Sequence, residues 1–288
     1  MTKITEAYQL NAFGLTASGG NTAGIVLNAA TLKDEEMLAI AKKLGFSETA
    51  FILPSKICDF KIRFFTPARE VDLCGHATIA AYSLLFQLGK LPAGIYSQEL
   101  LAGLLEVRIN ERGQVFMEQS LPQFGPQFSP ESIAPLLGLK AEDLSLSSLP
   151  IQVVSTGLSD IFVALPDRDL LESVQPDFEQ IRAFNHQSNT VGFHVFAFDT
   201  TTGSTTATCR NFAPLYEINE EAATGSSCGA LGCYLHRYWQ PESHFEFEQG
   251  LNLGQPSKII VDLESVEGEI SKVIVSGFAG KPEILQGI

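Results

Sequence analysis

Two ten-residue stretches, RFFTPAREVD at 63–72 and RNFAPLYEIN at 210–219, share the pattern R-x-F-x-P-x-x-E-[VI]-[DN] without a gap. After a three-residue insertion the likeness resumes, CGHATIAAYSLL (74–85) against TGSSCGALGCYL (224–235). Each copy reads as an apolar strand, a proline turn and a helix of small residues. Coincidence between two strand-to-helix turns is the competing explanation, but a shared strand, turn, glycine and helix in one order points to duplication. A chain duplicated in this way builds two like domains, each around one central helix. Helices rich in Ala, Gly, Cys and Ser let strands pack closely on all sides.

The length of 288 residues suits two domains of roughly 150. The segment QSLPQFGPQFSP (119–130), with three prolines and a glycine, reads as the linker, and Ser129-Pro130 then opens a short helix. Alternation and turn residues predict strands over 3–13, 22–27, 49–53, 59–65, 101–109 and 114–119. A second set falls at 151–155, 161–165, 190–198, 205–212, 258–262 and 272–276. Thr31 reads as the cap of a helix closed by Gly45, and further helices follow at 78–86 and 226–238. Many short strands with few helices predict an α+β fold with curved sheets.

Nineteen Lys+Arg against 33 Asp+Glu give a net charge of -14, which argues against nucleic acid and anionic membranes as partners. An anionic substrate therefore needs a local site. Five scattered cysteines without CxxC spacing predict free thiols and a reducing compartment. MTKITEAYQL alternates from the start and has no apolar signal core, so a cytoplasmic location is expected. Gly19-Gly20-Asn21 is not followed by GK[ST], and the five histidines have no HxxxH spacing, so neither a P-loop nor a metal site is expected.

Each repeat sets a glycine and a polar residue at a helix start, Gly75-His76 and Gly225-Ser226. Amides at a helix N-terminus carry about half a positive charge and bind anions. Singly, Gly75 and Gly225 are equally well read as relieving crowding, and Ser226 as a cap. As a symmetric pair facing across a domain interface they predict a carboxylate-binding cleft.

With GGNTAGIVL (19–27), SETAF (47–51), DLCGHAT (72–78) and EEAATGSS (220–227) in this order, the chain resembles the PhzF-like phenazine-biosynthesis isomerase family, of diaminopimelate-epimerase-like fold. The resemblance implies two pseudo-symmetric domains, each a curved β-sheet or barrel wrapped around a central α-helix. They would span 1–120 with a returning 280–288, and 121–279. It also implies a homodimer, a biosynthetic role and a cofactor-free site for a small carboxylate-bearing substrate. The family's catalytic glutamate falls on Glu48 and its glycine-histidine pair on Gly75 and His76. Its D-P-A-T-G-S motif falls on Glu221 to Ser226, with Glu221 and Ala222 in the first two places.

On this reading Glu48 is the general acid/base, set between apolar Phe46 and Phe51, which let it cycle between its two forms. His76 and Glu221 orient the substrate, and Gly75, Gly225 and Ser226 bind it beside Cys74 and Thr224. Two-thiol epimerases of the wider fold need a thiol at each helix start. Cys74 fills one place but Thr224 the other, and a threonine hydroxyl is far too weak an acid. The expected reaction is therefore isomerisation by proton shift. A racemase or epimerase using Cys74, and a non-catalytic binding protein, remain the alternatives.

Overall fold

The computed structural model describes residues 6–201 and 203–286. The chain divides into two compact units, one holding the residues up to Glu118 and those from Ser276 onward, the other Gln119–Val275.

The first unit contains β1 (Ala7–Ala12), β2 (Asn21–Val26), α1 (Asp34–Leu44), β3 (Glu48–Leu53), β4 (Phe60–Phe65), β5 (Glu70–Val71), α2 (Gly75–Gln87), β6 (Gly94–Leu100), β7 (Gly103–Ile109) and most of β8 (Val115–Gln119). Hydrogen bonding orders them β1-β2-β3-β4-β6-β7-β8, with β2–β3 and β4–β6 parallel. Parallel neighbours need a crossover. Helix α1 makes the first and α2 the second. The strand Glu283–Leu285 returns to pair antiparallel with β1.

The second unit contains β9 (Gln123–Gln127), α3 (Pro130–Ile133), α4 (Ala141–Ser145), β10 (Gln152–Ser155), β11 (Ser159–Ala164), α5 (Arg168–Ser173), α6 (Phe178–Ser188), β12 (Gly192–Ala197), β13 (Ala207–Ala213), β14 (Ile218–Glu221), α7 (Gly225–Tyr238), β15 (His244–Gln249), β16 (Ser257–Val266) and most of β17 (Glu269–Gly277). Its ladder runs β9-β10-β11-β12-β13-β15-β16, with β11–β12 and β13–β15 parallel. Strand for strand this is the pattern of the first unit, with α7 as the second crossover. The duplicated sequence has a duplicated topology.

Helix α2 touches β1, β2, β3 and β7, and α7 touches β10, β11, β15 and β16. The outermost of these strands lie five steps apart. At about 4.8 Å per step a flat sheet would separate them by roughly 24 Å, twice a helix diameter of about 10–12 Å. Each sheet must therefore curl around its helix. The helices are built for it: His76 through Leu85 are buried without a break, and so are Ser227 through Leu235. Gly232 shows the tolerance, since a Cβ there would lie 2.7 Å from Val261. The outer sheet faces bury a second layer, Met37, Ala41, Phe51 and Phe65 under α1 and a larger cluster including Ile181, Phe193, Val195 and Phe212 under α5 and α6.

Several sequence expectations need correction. Residues 123–127 of the expected linker form β9, paired to β10 through a register shift between Gln152 and Val154. Such a bulge accommodates Pro126, which has no N–H to give to a ladder. Thr31 does not cap α1. Lys33 is the cap residue, and its N–H donates to Glu36 Oε2 at 2.7 Å. Strands β6 and β15 and helices α5 and α6 were not foreseen. Asp167 and Asp177, which accept from Leu170 and Gln180 N–H, were readable start signals for those two helices. The part of the first expected strand at residues 3–5, and the last two residues of the expected terminal strand, lie outside the described residues. No described helix is long and apolar enough to cross a membrane.

The repeat also needs realignment. Phe64 stands opposite Val71 and Asn211 opposite Glu221. The three extra residues therefore form the 3-10 turn Pro214–Tyr216, before β14 rather than after it. Glu70 corresponds to Glu220, and Glu217 is a turn residue at φ 66. The ion pairs agree: Arg63 holds Glu70 through two bonds of 2.6 Å, and Arg210 holds Glu220 through bonds of 2.9 and 2.8 Å. Both arginines lie over the phenylalanine two residues on, Phe65 and Phe212, but Arg210 also donates to the carbonyls of Leu171 and Val174, whereas the second hydrogen-bond partner of Arg63 is the exposed Asp34. The side chains of Arg210 and Glu220 are only 8% and 12% exposed. Breaking that pair strands a buried carboxylate. Arg210→Ala should cost about 3 kcal/mol or more and Arg63→Ala about 1 kcal/mol. Urea unfolding of the two variants checks the order, and equal losses would contradict it.

Candidate active site

Strand β3 begins at Glu48, and α2 begins one residue after Cys74. The side chain of Glu48 points to the face that carries Ala50 and away from that of Thr49 and Phe51. Phe51 packs instead in the outer layer, edge-on to Phe65 at 5.4 Å, so it does not flank the carboxylate as the sequence suggested. The imidazole of His76 meets Glu48, its Nε2 lying 3.3 Å from Oε2. The two are in ion-pair range but not in hydrogen-bonding alignment. Glu48 Oε2 is buried and has no hydrogen-bond partner among the described residues. A buried carboxylate oxygen left without a hydrogen bond is costly and calls for an explanation.

The ring of His76 is held from several sides. Asn21 Nδ2 lies 3.3 Å and Cys74 Sγ 3.4 Å from Nδ1, and Ser47 Oγ lies 3.4 Å from Nε2. Burial lowers the pKa of the ring below its ordinary 6.5, and the charge of Glu48 opposes this without overcoming it. His76 is therefore neutral near neutral pH. Glu48, Cys74 and His76 each offer a ligand atom within 4.8 Å of the others. No histidine spacing announced such a cluster, because it joins a strand start to a helix start.

In the second unit, Thr224 caps α7 by position only, since its side chain does not cap the helix amides. Its Oγ1 donates to Glu221 Oε2 at 2.7 Å and accepts from Gln249 Nε2 at 3.0 Å. Gln249 also donates to Glu221 O and accepts from Thr224 N–H. Ser226 is the second residue of α7 and not its cap. The carbonyls of Gly225 and Ser226 accept from Gln119 Nε2 at 3.1 Å and Thr156 Oγ1 at 3.1 Å, which leaves their amides at the uncapped end. Cys74, at the matching place on α2, likewise gives no side-chain cap.

The structure thus brings Glu48, Cys74, Gly75 and His76 together in one unit, and Glu221, Thr224, Gly225 and Ser226 together in the other. Asn21, Ser47 and Gln249 were missed as partners. Asn21 and Ser47 sit within motifs already singled out, whereas Gln249 ends a strand that the sequence pattern did not reveal. The register also shows where the units differ. Glu48 stands opposite Ala23 in the β2–β3 ladder, and the corresponding residue of β12 is Gly192, opposite Asp160. A Cβ at Gly192 would lie 2.3 Å from Phe212 O, so this place cannot carry a second carboxylate.

The neutral state of His76 has a measurable consequence. The unfolded ring takes its proton near 6.5 and the folded ring only at lower pH. Between the two the unfolded chain binds more protons, so this group makes the protein less stable as pH falls below 6.5. A ring titration by NMR should give a His76 pKa below 6.5, and Glu48→Gln, by removing the opposing charge, should lower it further. An unchanged pKa in the variant would show that the Glu48 charge does not act on the ring, and a raised one would contradict the sign of the effect.

Residues 10–281 match the model of the family described as phenazine biosynthesis-like protein. The uncharacterized isomerase YfhB of Bacillus subtilis (strain 168) is 34% identical over 284 residues, covering 96% of each chain. The trans-2,3-dihydro-3-hydroxyanthranilate isomerase of Pseudomonas chlororaphis is 28% identical, covering 93% of this chain and 94% of its own. The crystal structure of a PhzF-family phenazine biosynthesis protein from Bacillus anthracis superposes with a TM-score of 0.91 at 31% identity, over 99% of this chain and 100% of that one. A match over nearly the full length, in sequence and in fold, shows that this chain belongs to the PhzF-like phenazine-biosynthesis isomerase family.

Proposed function

We propose that the protein is a cofactor-independent isomerase in which Glu48 moves a proton on a small carboxylate-bearing substrate. One observation carries the reading: a buried, unpartnered oxygen of Glu48 beside a neutral imidazole. A carboxylate of this kind can take a proton from carbon. Returning that proton to another carbon of the same conjugated system completes an isomerisation with no oxidant or second base. His76 orients and polarises the substrate. The helix-start amides at Gly75 and at Gly225 and Ser226 hold carboxylate, and Glu221, fixed by Thr224 and Gln249, selects its neighbour groups. The substrate named for the Pseudomonas chlororaphis relative, trans-2,3-dihydro-3-hydroxyanthranilate, has the expected chemistry and is the first compound to assay.

A second reading has one observation in its favour. Cys74 Sγ lies 3.4 Å from His76 Nδ1, a distance at which an imidazole can take a thiol proton. A two-base epimerase would also need a partner thiol, and Thr224 at the matching place is committed to Glu221 and Gln249. Cys228, a turn further on, is buried against Gln249.

Deuterium incorporation from heavy water, followed by mass spectrometry, separates the readings. Glu48→Gln should lower exchange and turnover of trans-2,3-dihydro-3-hydroxyanthranilate or a related small carboxylate by about two to four orders of magnitude. Cys74→Ala should retain most of the activity. A dead Cys74→Ala beside a near-normal Glu48→Gln would reverse the assignment, and no exchange by the unmodified protein into any of a panel of carboxylates would leave a binding protein.

A further inference from the structure

Beneath the first turn of α7 lies a polar cluster that the proposed chemistry does not use. Asp160 on β11, His194 on β12, Asn211 on β13 and Ser227 on α7 are all at most 3% exposed. Asp160 Oδ2 accepts a short hydrogen bond from Ser227 Oγ and a long one, 3.5 Å, from Asn211 Nδ2, and the carboxylate also accepts from the Gly192 N–H. Asn211 Nδ2 lies 3.2 Å from Ser227 Oγ and 3.2 Å from His194 Nδ1.

The fold does not require this cluster. By ladder register and helix position, the corresponding residues of the first unit are Ala23, Ala50, Phe64 and Ala77. The same architecture stands there on apolar side chains. Burying a carboxylate in the second unit costs desolvation that those residues avoid, so its retention calls for a role. Ser227 directly follows Gly225 and Ser226, and the hydroxyl it donates to Asp160 ties the first helical turn to the sheet.

We propose that Asp160 is a positioning residue for substrate binding: through Ser227 it holds the start of α7 in the shape in which the Gly225 and Ser226 amides receive a carboxylate. The inference rests on the reading of that helix start given above. It predicts a defect in binding and not in proton transfer. Burial raises the Asp160 pKa to about 6, against the opposing effect of its three donors. Above that pH the ionised carboxylate is a strong acceptor for the Ser227 hydroxyl; below it a proton on Oδ1, which is buried and has no hydrogen-bond partner among the described residues, leaves Oδ2 a neutral and weaker acceptor. The groups facing it are Ser227 from α7, Asn211 from β13, and Gly192 N–H and His194 from β12. Only His194 among them titrates, and burial lowers its pKa to about 3.

The test measures KM and kcat from pH 5 to 8 on trans-2,3-dihydro-3-hydroxyanthranilate, with calorimetric binding of anthranilate, which cannot isomerise, as a readout independent of turnover. Asp160→Asn and Ser227→Ala should each raise KM and the anthranilate Kd about tenfold, the effect of losing one hydrogen bond to a charged group, with kcat within about threefold of the unmodified enzyme. Ser227→Thr, which keeps the hydroxyl, should restore most of the affinity. The KM of the unmodified protein should rise as pH falls through about 6, and that limb should vanish in Asp160→Asn. Unchanged KM and Kd in the variants, a loss confined to kcat or to the folded fraction, or no anthranilate binding at all would overturn the proposal. If Asp160→Asn does not fold, the Ser227 pair decides. Failure of the wider reading has a different signature, since Glu48→Gln would then exchange at the normal rate whatever Asp160 does.

Discussion

Each unit depends on burying a crossover helix on every side. A helix flanked by solvent needs only one apolar stripe, but α2 and α7 pass between parallel strands of a sheet that curls around them. Small residues are the physical solution. They let strand side chains approach the helix axis, as Val261 does at Gly232. A helix so enclosed satisfies its own backbone except at its ends, and the uncapped first turn then stands where water is partly excluded. The field of its amides is screened less there than at an open surface. The carboxylate position proposed at these helix starts would thus follow from the same constraint that closes the core, in a protein whose net charge of -14 repels anions.

The two units use this common frame differently. In the first, a carboxylate at the start of β3 and a neutral histidine in the first helical turn form a group that can exchange protons. In the second, the place of Glu48 is taken by Gly192, which the Phe212 carbonyl keeps free of any side chain. Its polar residues lie deeper instead, in the cluster around Asp160. This asymmetry favours one carboxylate as proton carrier over a symmetric pair of bases. The Thr224 hydroxyl, bonded to Glu221 and Gln249, is a structural tie in the position that a second thiol would have to fill.

Duplication, the α+β class, the small-residue helices and the site motifs were all legible in the sequence, because each rests on local residue pattern. Arg63 and Arg210 marked the repeat correctly, since both strands use the arginine to clamp a glutamate. Their true partners were not legible. An ungapped match favoured Glu217, and only the ladder register showed that the extra turn lies before β14 and that Glu220 is the partner. The linker failed for a similar reason: proline and glycine signal irregularity, and a bulged strand tolerates both. Strand β6 was hidden because local pattern does not count the neighbours that a segment will find.

The sequence by itself determined which residues could carry chemistry, since Glu48, His76 and the two glycine-led helix starts are recognisable by type and motif. Tertiary structure alone decided their electrostatic state and company. The neutrality of His76 follows from burial, the unpaired oxygen of Glu48 from ring orientation, and the grouping of Asp160, His194, Asn211 and Ser227 from strand register. Those four residues span 160 to 227, and nothing local links them. Hydrogen bonding and desolvation act through space over a few ångströms, and only the folded chain sets distances on that scale.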